Sequence, residues 1–237
     1  MDVSACRLFA SAADPRQFPR DGAPEIVFMG RSNVGKSSLI NRLLGRSGLA
    51  HVSKTPGRTR LINFYRVNER FYFVDLPGYG WARVPEALRR QWRDLVEAYL
   101  AVPSRTALAL QLVDGRHPPT DLDIELAEWL CSRDLSHRVV LTKIDKLSGN
   151  ERARALRDAA RALRLRPEEP LLAVSARTGE GIPLLWRAID AASTARRCAT
   201  RSAVPTVERT SGTGTPIRDD SSGTRDAAPF LGGRTHL

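Results

Sequence analysis

Glu25-Ile-Val-Phe-Met-Gly30-Arg31-Ser32-Asn33-Val34-Gly35-Lys36-Ser37-Ser38 is the stretch on which the reading of this chain turns. Its first half is a short apolar run closed by glycine, the pattern of a buried strand. Its second half is a complete G-x-x-x-x-G-K-[ST], after which Leu39, Ile40, Leu43 and Leu44 recur on one helical face up to a stop at Gly45. Strand, glycine loop and helix in that order form the context in which the motif cradles phosphate. The glycines let successive backbone N–H groups turn inward, Lys36 reaches the β- and γ-phosphates, and the Ser37 hydroxyl ligates Mg²⁺.

Further along, strands are predicted at Leu61–Val67 and Arg70–Asp75, joined by Asn68-Glu69 at tight-hairpin spacing. More strands are predicted at Thr106–Val113, Arg138–Leu141 and Leu171–Val174. Helices are expected at Pro85–Ala101, opened by Pro85, and at Thr120–Cys131, Asn150–Leu163 and Ile182–Ala192. This alternation predicts an α/β fold: a three-layer P-loop NTPase domain with a six-stranded, mostly parallel sheet flanked by helices and one antiparallel edge hairpin.

The chain has 237 residues and is 42% hydrophobic, enough to bury a core. No apolar run is long enough for a membrane span, and residues 1–25 lack the pattern of a secretory signal. Cys6, Cys131 and Cys198 are odd in number and widely spaced, which argues against a disulfide scaffold or cysteine-built zinc site. These features suit a cytoplasmic protein. Composition shifts near Ala195 to Thr, Ser, Gly and Arg without a period, so residues 1–24 are expected as a lead-in, 25–195 as the folded domain and 196–237 as a disordered tail. The net charge is +11. Only Lys36, Lys54, Lys143 and Lys146 are lysines, so the surplus is arginine, which a coding bias explains as readily as an RNA partner.

The base is named by Leu141-Thr142-Lys143-Ile144-Asp145 at a predicted strand end, where open α/β sheets bind ligands. A carboxylate at Asp145 can accept from guanine N1–H and N2–H together, a pair adenine lacks. Lys143 is expected to lie over the base with its aliphatic stem. Thr142 stands where asparagine is commoner. Asp75-Leu76-Pro77-Gly78 gives an acid at a strand tip followed by D-x-x-G: Asp75 would hold the Mg²⁺ shell through water, and the Gly78 N–H would meet the γ-phosphate. Val174-Ser175-Ala176 fits a loop that closes on the guanine edge. Between them, Lys54-Thr55-Pro56-Gly57-Arg58-Thr59-Arg60 reads as a switch loop ordered by γ-phosphate and Mg²⁺, with Thr59 as the metal-ligating hydroxyl and Thr55 as its rival.

Taken together, G-R-S-N-x-G-K-S-S, K-T-P-G-R-T, D-L-P-G-Y-G and T-K-x-D-K-L resemble the EngB (YihA/YsxC) family, within the TrmE-Era-EngA-EngB-Septin-like P-loop GTPases. The likeness runs from about Phe9 to about Ala195 and takes in Asp114-Gly-Arg116-His117-Pro118 and Asp121-Leu-Asp123. It implies a GTP-hydrolysing factor for assembly of the bacterial large (50S) ribosomal subunit, with effects on cell division through that role. It also implies Mg²⁺ on Ser37 and Thr59, guanine read by Thr142, Lys143, Asp145 and Val174 to Ala176, and rRNA and ribosomal proteins as partners of a monomer. Catalysis would rest on Lys36, Thr59 and Gly78, with Gly57 and Arg58 beside the nucleotide. Tyr79 stands where many GTPases carry a water-orienting glutamine, which predicts slow intrinsic hydrolysis raised by a partner. Asn33 resembles the asparagine of potassium-activated GTPases, so K⁺ is a candidate activator; bracing of the loop is the plain alternative. Trp81 replaces a usual tyrosine. The rival function is a nucleotide-gated binding module whose hydrolysis is incidental.

Overall fold

Alternation along strand β2 (Glu25–Gly30) sets the plane of the sheet: Ile26 and Phe28 enter one apolar cluster, Val27 and Met29 another. The computed structural model describes residues 2–50, 61–79, 86–102, 105–133, 135–166 and 171–202. Its other strands are β1 (Cys6–Ala12), β3 (Ile62–Val67), β4 (Phe71–Asp75), β5 (Thr106–Asp114), β6 (His137–Thr142) and β7 (Leu172–Ala173). Its helices are α1 (Lys36–Leu44), α2 (Glu86–Leu100), α3 (Asp121–Ser132), α4 (Gly149–Ala162) and α5 (Ile182–Ser202). The order across the sheet is β1-β3-β4-β2-β5-β6-β7, with β1, β3 and β4 antiparallel and the other pairings parallel. Among the described residues, no helix is long and apolar enough to cross a membrane.

Both faces are covered, as a parallel sheet requires. One carries α1 through Leu39, Ile40, Leu43 and Leu44 and α5 through Leu185, Trp186 and Ile189. The other carries α2 through Leu95, Val96 and Tyr99, α3 through Leu126 and Leu130, and α4 through Ala159. The three-layer α/β class is as expected.

The strand number needs correction: the sheet has seven strands, and β1, inside residues 1–24, is the seventh. The hairpin of β3 and β4 is therefore not the edge; β1 covers it. The strand is hidden in the sequence because most of its side chains are exposed, so it carries no core alternation. Its partners fix it instead. Cys6 to Ala12 pair with Val67 to Ile62 across a bulge, and the Phe9 ring meets Tyr72 edge-on at 5.2 Å. The hairpin turn helps. Asn68 (φ +48°) and Glu69 (φ +51°) form the left-handed pair of a tight turn, and Asn68 Oδ1 accepts the N–H groups of Ser4 (2.9 Å) and Ala5 (3.0 Å).

The remaining boundaries shift by a residue or so, except that α5 runs to Ser202 rather than ending near Ala192. Pro85 lies outside the described residues.

Candidate functional site

Where β2 leaves the sheet its backbone must turn sharply, and the glycines allow it. A Cβ on Gly30 would stand 2.9 Å from the Leu112 carbonyl oxygen, and Gly35 adopts φ +104°. Asn33 is also left-handed, at φ +63°. Gly35 then caps α1 without a side-chain acceptor for its first N–H groups, which leaves them to a ligand at the positive end of the helix dipole. Val34 is buried beneath the loop. Lys36 Nζ, at the first turn, pairs with the buried Asp75 carboxylate at the tip of β4. Ser37 and Asp75 form the described part of the expected Mg²⁺ set. Both are hard oxygen donors, of the kind Mg²⁺ takes from one or two protein groups, so they fit that ion.

The segment after Asp75 lies along the phosphate loop. Leu76 and Pro77 are buried, with Leu76 packed in the core. A Cβ on Gly78 would meet Ser32 N at 3.0 Å, so glycine is what permits this approach. Ser32 N–H donates to the Tyr79 carbonyl (3.0 Å), and Arg31 and Tyr79 form a bridge. Tyr79 is 2% exposed; its ring sits in the core and its hydroxyl donates to Asp123 Oδ1 at 3.0 Å. Burial, and then the Asp123 charge, push the Tyr79 hydroxyl well above its usual pKa, so it remains a donor. Asp123 Oδ2 accepts the Thr120 N–H (2.9 Å) and hydroxyl (2.8 Å) at the start of α3, while its carbonyl accepts from Gln111 (2.6 Å).

On the base side, Thr142 does the bracing that asparagine commonly does. Its Oγ1 faces the carbonyls of Val34 (2.6 Å) in the phosphate loop and Val113 (3.2 Å) in β5. Lys143, left-handed at φ +60°, donates from Nζ to the Asn33 carbonyl (2.6 Å) and to Asp114 Oδ2 (2.8 Å). Burial raises the Asp114 carboxyl, but hydrogen bonds from Arg116 and Lys143 outweigh it and hold the group well below the usual carboxylate range. Arg116 is thereby committed to Asp114, through Nε at 3.0 Å and Nη2 at 2.8 Å. Asp145 Oδ2 accepts Arg177 Nε (2.7 Å) and Oδ1 accepts the buried Ser175 hydroxyl (2.8 Å). The Arg177 bond, then that of Ser175, lowers the Asp145 pKa, so the group is an ionised acceptor at neutral pH. Ser175 Oγ also accepts the Thr178 N–H (3.0 Å), which closes the loop after β7. Gly181 (φ +75°) lets that loop turn back, since a Cβ there would collide with the Ala173 carbonyl.

Gly35, Ser38, Thr142, Lys143, Asp145 and Ala176 share one pocket of about 190 Å³. The expected residues Gly30 to Ser38, Asp75 to Gly78, Thr142, Lys143, Asp145 and Val174 to Ala176 are thus gathered at one sheet edge. Lys54, Thr55, Gly57, Arg58, Thr59 and Trp81 lie outside the described residues. Three participants carried no site role in the sequence reading. Asp123 was detectable as the acid of a capping box, Thr120-x-x-Asp123, and Asp114 as a carboxylate at a strand tip on the ligand edge. Arg177 had no signal beyond adjacency to Ala176.

A family model described as 50S ribosome-binding GTPase matches residues 25–143. The chain is 47% identical over 181 residues to a probable GTP-binding protein EngB of Pelotomaculum thermopropionicum, spanning 76% of this chain and 91% of that protein. It is 47% identical over 196 residues to the corresponding protein of Solibacter usitatus, spanning 83% of this chain and 100% of that one. Among solved structures, the crystal structure of a probable GTP-binding protein EngB aligns with a TM-score of 0.63 at 26% identity, covering 72% of this chain and 98% of that one. With the phosphate loop and the sheet topology in hand, these matches make the chain a member of the EngB family of P-loop GTPases, a protein that binds and hydrolyses GTP.

Proposed function

We propose that this GTPase is a cytoplasmic, monomeric switch in assembly of the large (50S) ribosomal subunit, engaging a precursor particle through rRNA and ribosomal proteins and supporting cell division by that route. What supports the reading is a guanine-nucleotide cleft on a chain whose residues 25–143 match a 50S ribosome-binding GTPase model. In the cleft, Asp145 accepts from guanine N1–H and N2–H while the Lys143 stem lies against the base. The loop N–H groups from Gly30 to Ser38 and the Lys36 ammonium hold the β- and γ-phosphates, and the Gly78 N–H meets the γ-phosphate. Ser37, Thr59 and, through water, Asp75 would hold Mg²⁺. That ion supplies positive charge against the charge developing on the phosphates.

Tyr79 is spent on Asp123, so the residue after Gly78 does not orient the attacking water. Slow intrinsic hydrolysis follows, accelerated when a partner completes the site. Asn33 would let K⁺ add charge beside the phosphates. Turnover in equal KCl and NaCl tests this: faster hydrolysis in KCl is expected, whereas equal rates would reduce Asn33 to a loop brace.

Co-sedimentation of the protein with large-subunit particles, in GTP-analogue, GDP and nucleotide-free states, tests the function. Association is expected to be strongest with the GTP analogue. If no state associates, the assembly reading fails and a binding module for another partner takes its place.

A further inference from the structure

Helix α4 has two unlike long faces. Ala155, Leu156 and Ala159, with Leu163 just beyond, pack toward β6 and α3. Turning 100° per residue, the side facing away brings Arg154, Arg157 and Arg161 within about 60° of arc over about 10 Å of helix. Arg164 follows one residue past the Leu163 cap. All four are exposed; the side chains of Arg154 and Arg164 are 80% and 81% accessible.

The acids close to this row leave its charge largely unspent. Asp158 lies 3.4 Å from Arg154, and Glu128 of α3 lies 3.4 Å from Arg164, both weak surface pairs. Glu151 is turned to the helix start, where it accepts from Ser148 N and Oγ at 2.8 Å. Arg157 and Arg161 make no ion pair with a described residue. A face that only needs to be soluble interleaves both signs, because like charges three and four residues apart repel. Here the outward side sets Arg154, Arg157 and Arg161 against a single acid, Asp158, while the neighbouring outer face of α3 shows Asp121, Glu125 and Glu128. The two neighbouring faces carry opposite surpluses of charge.

The chemistry of the row selects its occupant. Guanidinium forks match phosphate oxygens in pairs. The row carries no aromatic side chain on which a base could stack, and no apolar anchor for insertion into a lipid surface. That combination contacts a sugar-phosphate backbone and does not read bases. The row also sits on the element that follows the guanine-reading loop. Ser148 caps α4 three residues after Asp145, and Arg152, on the inner side of the helix, pairs with Glu180 and donates to the Ile144 carbonyl at 3.4 Å.

We infer that the outer face of α4 is an RNA-backbone docking surface, with Arg154, Arg157, Arg161 and Arg164 as its phosphate contacts. It seats ribosomal RNA of the large subunit, and in that respect the inference rests on the assembly reading above.

The test compares the full chain, the double variant Arg157→Gln/Arg161→Gln, and a charge-matched control, Arg7→Gln/Arg16→Gln, whose changes lie on β1 and the short turn after it. Each binds large-subunit particles, and separately protein-stripped large-subunit rRNA, in GTP analogue from about 50 to about 200 mM salt. Two lost phosphate contacts are expected to flatten the slope of log K against log salt by about 1.4 to 1.8. The control should keep the parent slope, and the α4 variant should keep its GDP affinity and basal hydrolysis, which also reports that it is folded. An unchanged slope in the α4 variant overturns the inference, as does an equal loss in the control or binding to particles with none to stripped rRNA. If the parent ignores particles yet binds stripped rRNA through the α4 row, the surface stands and the assembly reading falls. If the parent binds particles with a slope that the α4 row does not change, the assembly reading stands and the surface falls.

Discussion

Replacing Asp145 with alanine is expected to weaken GDP and GTP binding by about 10²- to 10⁴-fold and to erase preference for guanine over adenine nucleotides. The carboxylate is held from two sides, by Ser175 at 2.8 Å and Arg177 at 2.7 Å, so in the proposed reading it would meet guanine as a fixed acceptor. Two hydrogen bonds to a charged acceptor are worth about 3–6 kcal/mol together, which is the source of the fold-range given. The substitution also strips the buried Ser175 hydroxyl of its acceptor, adding a cost to the loop that closes the pocket. Titration with a fluorescent GDP analogue, with ADP as competitor, measures both effects. A loss below about tenfold would remove Asp145 from base recognition, because a single charged hydrogen bond is worth more than that.

The second large effect lies at the opposite end of β2 and concerns stability. Glu25 is only 3% exposed, and its Oε2 accepts the Tyr99 hydroxyl at 2.5 Å. Burial raises its pKa from the usual 4.5 to about 7, against the lowering influence of the Tyr99 bond and of Arg105; Asp21 adds a small rise. Because the folded chain holds this proton more tightly than the unfolded one, the contribution is complete below about pH 4.5. It is lost as pH rises through about 7. The difference amounts to about 3 kcal/mol. Glu25→Gln keeps the shape and the hydrogen-bonding capacity but cannot ionise. Relative to the variant, the parent should therefore lose about 3 kcal/mol between pH 4.5 and 8 in urea unfolding. Parallel pH profiles for the two proteins would falsify the assignment.

The parts of this structure that could be read in the sequence are those in which side-chain pattern and backbone geometry obey the same local rule. Period two gives way to period 3.6 across Gly30–Lys36, so β2 and α1 were legible almost to the residue, along with the loop between them. Strand β1 was not, because nothing in its side chains distinguishes it: its register is dictated by hydrogen bonds to β3 and by an asparagine 60 or so positions away. The end of α5 escapes a pattern reading for a different reason. Residues past Ala195 lose the apolar stripe, yet a helix already propagating needs only continued backbone bonding and residues that tolerate it.

The same division holds in the site. Glycines, the loop lysine and Asp145 were visible because phosphate and guanine demand those residue types at fixed spacings. The partners that hold them in place were not. Asp114 beside Lys143, Arg177 on Asp145 and Asp123 under Tyr79 are pairings across 29, 32 and 44 residues, created by tertiary packing and free of any spacing rule. Thr142 lies between these cases: its position was legible, but the reach of its hydroxyl to Val34 was not.

The Tyr79–Asp123 bond ties the residue after Gly78 to the start of α3. Asp123 closes the first turn of α3 with the same carboxylate that receives Tyr79. Pulling Tyr79 away therefore empties a core socket and strips a donor from a helix cap in one event. Withdrawal carries a packing cost and a polar cost together, with only Thr120, among the described residues, left donating to the Asp123 carboxylate, through Oδ2. Any displacement of Tyr79 is thereby registered at the start of α3 through the one carboxylate that both share.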